Sequence, residues 1–159
     1  MGPFIDGVRR RNDRWRTSEG AMEVRVKQTE GVRFSVKART HELFSDQPAE
    51  NGGDDTGMTP PELLLGALGS CAAYYAVEYL RARKLAESGV KVRVTAEKFT
   101  QPARLGNFVV TVSCPVPLSG AHNEGLLRAV QHCPIHNSLA FPARIRVEIP
   151  AMQPVLTAS

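Results

Sequence analysis

From Leu63 to Val77 the chain runs fifteen residues without a charge, Leu-Leu-Leu-Gly-Ala-Leu-Gly-Ser-Cys-Ala-Ala-Tyr-Tyr-Ala-Val, until Glu78 interrupts it. The run opens on Thr59-Pro60-Pro61-Glu62. Threonine at the cap, proline at the first helical position and glutamate at the third form a capping box. The pattern predicts a helix from Pro60 to about Ala86, stopped near Gly89. Its uncharged part falls short of the ~20 residues a membrane span needs. A helix apolar on every side and too short to span is a core helix. Gly66, Ala67, Gly69, Ser70, Ala72 and Ala73 keep its waist thin, so another backbone can approach there.

Several segments around this helix alternate with period two. Residues 22–28 and 32–38 read as half-buried strands joined by a turn at Glu30-Gly31, and residues 40–44 as a third short strand. Residues 46–57 (Asp-Gln-Pro-Ala-Glu-Asn-Gly-Gly-Asp-Asp-Thr-Gly) are a loop by composition. Residues 90–99 and 108–114 form two further strands, with a turn around Leu105-Gly106-Asn107. Residues 122–132 read as a helix. Cys133-Pro134 breaks it and starts a short one ending at Ala140, since proline fits a first turn and not an interior. Residues 144–149 (Arg-Ile-Arg-Val-Glu-Ile) alternate as a final strand. Three strands, a long helix, two strands, helices and a strand make an α+β fold with an antiparallel sheet around a long buried central helix.

Length and charge bound the rest. A chain of 159 residues that is 42% hydrophobic is one globular domain with a real core, over residues 22–150. Residues 1–21 form a basic extension with Arg9, Arg10, Arg11, Arg14 and Arg16 clustered in it. It reads as a solvated tail, as do residues 151–159. At 6% aromatic residues, with no recurring basic–aromatic alternation, the chain gives no support to nucleic-acid binding. Three cysteines are too few for a disulfide scaffold. The start shows no charged stretch followed by an apolar core, so the expected location is cytoplasmic, where thiols rest reduced.

The cysteines carry the chemistry. Cys71 sits mid-helix in a mostly apolar wall with Leu64, Ala67, Leu68, Tyr74 and Tyr75. Burial alone raises a thiol's pKa and makes it inert. Cys71 is therefore either a small core hydrophobe or a nucleophile that borrows a cation from another segment. Cys133, directly before Pro134, is a helix cap, where the helix dipole favours a thiolate. Cys114, in a strand before Pro115, reads as structural. His132, Cys133 and His136 are close in sequence, but no Cys-x-x-Cys pair accompanies them, so no metal and no cofactor is expected.

The stretch Thr59-Pro60-Pro61-Glu62-Leu63-Leu64-Leu65-Gly66-Ala67-Leu68-Gly69-Ser70-Cys71 resembles the central-helix signature of the OsmC/Ohr family, the osmotically inducible protein C and organic hydroperoxide resistance proteins. Cys133-Pro134-Ile135-His136-Asn137-Ser138-Leu139 resembles its second-cysteine motif. Asp46-Gln47-Pro48 followed by Gly52-Gly53 fits an OsmC-like branch. The resemblance covers about residues 22–149. It implies an intertwined homodimer and thiol peroxidase chemistry: Cys71 attacks a hydroperoxide, Cys133 resolves the sulfenic acid as a disulfide, and an external dithiol reduces that. Arg33 and Arg39 are the candidate activating cations. The organic hydroperoxide resistance proteins carry a glutamate ten positions before the reactive cysteine. This chain has Pro61 there, and Glu62 stands nine before, on the far side of the helix from Cys71. The alternative is a non-catalytic module that holds a hydrophobic ligand in a pocket around Cys71, Tyr74 and Tyr75.

Overall fold

A computed structural model describes residues 22–141 and 143–150; the basic extension and the last nine residues lie outside them. The chain divides between Pro60 and Pro61 into two units. The first is a three-stranded antiparallel meander of β1 (Arg25–Glu30), β2 (Arg33–Ala38) and β3 (His41–Ser45), in the order β1-β2-β3. Val36 faces Val26 on one side and Leu43 on the other, so the alternation read from the sequence sets the register. The connections are tight. Gly31 (φ 48°) turns β1 into β2, and Arg39 (φ 55°) turns β2 into β3.

The loop after β3 is organised by one carboxylate. Asp46 is buried. Its Oδ2 accepts from the Thr56 hydroxyl (2.7 Å), the Thr56 N–H (3.0 Å) and the Asp54 N–H (3.2 Å), and its Oδ1 accepts from the Gln47 N–H (2.8 Å). Four donors satisfy a buried charge that would otherwise be costly. A turn of 3-10 helix, Ala49–Asn51, fills the loop between these contacts.

The second unit contains α1 (Pro60–Ala82, starting at the unit boundary), β4 (Lys91–Thr100), β5 (Ala103–Ser113), α2 (Gly120–Gln131) and α3 (Pro134–Ala140). Its core joins Ala76, Tyr79 and Leu80 of α1 to Leu126 of α2, with Val90, Val112, Leu118 and Val130 packed around them. Gly125 lets α2 come close: a Cβ there would collide with the Tyr79 ring and hydroxyl. Gly69 does the same toward β4, where a Cβ would lie 3.1 Å from Val94 Cγ2. The thin waist thus serves helix–sheet contact inside this unit.

Several expectations shift. The helix ends at Ala82, not Ala86. Lys84 takes the left-handed conformation (φ 55°), its N–H donates to Arg81 O, and the Leu85 N–H donates to Leu80 O. That is a Schellman motif, and Leu85 packs against the core that holds Leu80. The turn expected at Leu105-Gly106-Asn107 is instead a bulge inside β5. Asn107 adopts φ 50° and donates to Glu97, while the hairpin turns at Gln101-Pro102. The strands form two antiparallel sheets, of three and of two strands, rather than one. The buried residues of α1 lie on one face, and Tyr74 is 60% exposed. By length and composition α1 is apolar enough to cross a membrane; Leu68, Ala72, Ala76, Tyr79 and Leu80 are its buried residues. Residues 144–149 form no strand: they are exposed, with no ladder partner among the described residues. Alternation records which residues a strand would bury, but a ladder also needs a neighbouring edge.

Candidate functional site

Two helix positions build the site. Cys71 lies in the middle of α1 and is half-buried. Cys133 lies between α2 and α3 and is fully buried. The chain path at Cys133 follows from local chemistry. His132 ends α2, with N–H groups of His132 and Cys133 returning to Ala129 O and Val130 O at 3.1 Å each. Pro134 then occupies the first turn of α3, where its missing N–H is not needed. Cys133 is the cap: its Sγ accepts from the His136 N–H at 3.4 Å, and its carbonyl accepts from Asn137 at 3.0 Å.

The two sulfurs, 62 positions apart in sequence, are joined in a disulfide with the Cα atoms 5.9 Å apart. The bond ties the start of α3 to the middle of α1. Beside it opens an apolar cleft of about 380 Å³. Leu68 and Ala72 of α1, Phe108 and Val110 of β5, and Leu127 of α2 wall it, and Cys133 and His136 line one part of it. A pocket around Cys71, Tyr74 and Tyr75 is therefore corrected. The cleft lies on the Leu68–Ala72 side of α1, while Tyr74 points outward and meets Tyr75 edge-on at 5.3 Å. Leu68 and Ala72 are buried because they face the β4–β5 hairpin and α2; Tyr74 lies on the opposite face. The contributions of Phe108, Val110 and Leu127 were not read from the sequence. Their only signal is the apolar parity of a strand and a helix, which does not name what they face.

Cys114 is free and half-buried, and burial pushes its thiol up. A neutral thiol packed against the core is structural. Arg33 and Arg39 lie on the first unit, whereas both bonded cysteines lie on the second. Arg33 stacks on the Phe44 ring at 4.4 Å, and its Nε is buried with no hydrogen-bond partner among the described residues. Arg39 occupies the exposed β2–β3 turn. Glu62 is exposed in the first turn of α1. No group of three or more histidine, cysteine or acidic side chains could hold a metal among the described residues.

The model of the OsmC-like protein family matches residues 52–148. No curated protein matches the chain. Among solved structures, an OsmC like protein from Mycoplasma pneumoniae is 19% identical, with a TM-score of 0.65 over 76% of this chain and 87% of that one. A protein from Psychrobacter arcticus 273-4, assigned to an osmotic stress induced and detoxification response, is 20% identical with a TM-score of 0.67, over 72% and 85% of the two chains. An organic hydroperoxide resistance protein OsmC from Legionella pneumophila is 18% identical with a TM-score of 0.57, over 74% and 88%. At these identities the likeness is one of fold.

Proposed function

The chain belongs to the OsmC-like protein family, and from that premise we propose that it is a thiol-dependent peroxidase that reduces organic hydroperoxides in oxidative-stress defence. The observation that carries the reading is the pair of sulfurs. Cys71 and Cys133 are distant in sequence, come from separate helices, and are bonded beside an apolar cleft. In a reducing compartment such a bond forms and breaks in a cycle. The Cys71 thiolate attacks the terminal oxygen of the hydroperoxide. The O–O bond breaks, the alkoxide leaves and is protonated to the alcohol, and Cys71 becomes a sulfenic acid. The Cys133 sulfur then attacks the Cys71 sulfur; the S–O bond breaks and water leaves. An external dithiol reduces the disulfide by exchange, two thiols being oxidised for each bond reduced. The cation proposed to support the Cys71 thiolate is Arg33 or Arg39, as the family resemblance implies. The apolar cleft suits the carbon chain of an organic hydroperoxide.

The proposal includes a homodimer. Ile145, Val147 and Ile149 are 87%, 82% and 92% exposed and all on one parity of the chain. An exposed apolar parity of this kind calls for cover, and a second copy supplies it.

The test is stopped-flow consumption of cumene hydroperoxide by the reduced protein. Turnover in the parent, lost in Cys71→Ser, is the expected result. In Cys133→Ser, the first equivalent takes Cys71 to the sulfenic acid and a second overoxidises it to the sulfinic acid. An inactive parent, or a Cys71→Ser variant as active as the parent, overturns the reading. The second reading, a non-catalytic module, is favoured by the cleft itself. It predicts binding of an apolar ligand in the cleft by a parent that consumes no peroxide.

A further inference from the structure

Eleven residues line the cleft beside the disulfide, and once that bond is reduced only Cys133 and His136 among them carry a side chain able to exchange a proton. The other elements packed against it present no charge there. α1 contributes Leu68 and Ala72, β5 contributes Phe108 and Val110, and α2 contributes Leu127, Val130 and the neutral Gln131. His136 is half-buried, and its N–H caps the Cys133 sulfur at 3.4 Å. His132, the residue before Cys133, is exposed and does not line the cleft. In the reduced protein the apolar cleft is therefore lined by one thiol and one imidazole.

That pairing has a use in the cycle above. When Cys133 resolves the Cys71 sulfenic acid, its thiol must lose a proton, and the departing hydroxide must gain one. The cap position at the start of α3 favours the Cys133 thiolate, but an ordinary thiol starts only a few per cent ionised at pH 7, and the proton it sheds still needs an acceptor beside it. We propose that His136 takes the proton from the Cys133 thiol and returns it to the hydroxide that leaves Cys71. One S–S bond forms, one S–O bond breaks, the electron pair leaves with oxygen, and the imidazole ends neutral. Histidine is the side chain whose ordinary titration range allows both transfers near neutrality. This inference rests on the peroxidase reading and assigns its second step.

The experiment separates the steps. Reduced protein receives one equivalent of cumene hydroperoxide. At timed intervals between pH 6 and pH 9 it is quenched with dimedone and an alkylating agent, and intact mass distinguishes the sulfenic acid adduct from the disulfide. His136→Asn and His136→Gln keep the capping N–H but cannot exchange a proton. Both are expected to form the sulfenic acid at the parent's rate and to resolve it about tenfold more slowly at pH 7. The deficit should shrink toward pH 9, where the thiol ionises unaided. Resolution profiles that superimpose on the parent's, or a deficit equal at every pH, overturn the assignment of His136 and leave the peroxidase reading intact. Absence of any Cys71 adduct in Cys133→Ser overturns the peroxidase reading, and this inference with it.

Discussion

Asp46 shows how much one side chain can fix. Its carboxylate holds residues 46–56 together, and the Thr56 N–H first, then the Thr56 hydroxyl, bring it from 3.8 to about 2. A folded-state value below the unfolded one means stability that is present above about pH 4 and lost as pH falls toward 2. Thermal melts from pH 7 to pH 2 should show that loss in the parent. Asp46→Asn should melt lower at pH 7 and show a flatter curve over the acid window, because an amide cannot charge and turns an NH2 toward backbone donors. Gly125 makes the complementary point about space. Its missing Cβ is occupied by Tyr79, whose hydroxyl pairs with His122 Nδ1 at 3.2 Å and whose ring carries the Arg83 guanidinium at 3.8 Å. Tyr79 is held from three sides and cannot retreat cheaply. Gly125→Ala should therefore cost about 1–3 kcal/mol, read as a lowered Tm or denaturation midpoint. Neither role is visible in the sequence. Asp46 stands in a loop rich in small polar residues, and Gly125 resembles any helix interruption.

At the scale of elements, α3 is the least secured. Its seven residues include none that is buried. Cys133, fully buried and bonded to Cys71, is its anchor. Reduction removes that anchor, so hydrogen exchange of the amides from His136 to Ala140 should quicken in the reduced protein and in Cys71→Ser, while the α1–α2 core keeps its protection. Equal protection of α3 in both redox states would show that packing alone holds it. The elements themselves were largely legible. Proline after Cys133 gave the α2–α3 break, and alternation gave all five strands of the two sheets. What failed was stops and turns. Lys84 ends α1 through a left-handed residue that is not glycine, and Asn107 makes a bulge where a turn was expected. At Lys84 the Schellman bonds and the packing of Leu85 on the core hold the positive φ, and at Asn107 the bond to Glu97 across the hairpin does; neither residue type signals a stop or a bulge by itself.

For the whole molecule, the exposed apolar parity of residues 144–149 is the main demand on a partner. Ile145→Glu with Val147→Glu should convert the proposed homodimer to monomer in light scattering coupled to size exclusion, and should lower its stability. A parent that is monomeric at micromolar concentration overturns the dimer. The sequence by itself determined the α+β class, the long apolar helix, the cap at Cys133 and the two cysteine motifs. Each depends on periodicity or on residues within a few positions of one another. The family resemblance, not a local pattern, implied that Cys71 and Cys133 pair; the tertiary structure brings them together, and it alone decided that the cleft runs along Leu68 and Ala72 rather than the tyrosines and that His136 lines it beside Cys133. Those contacts join residues as far apart as 62 positions, and no local pattern encodes which faces come together when separate helices and strands pack.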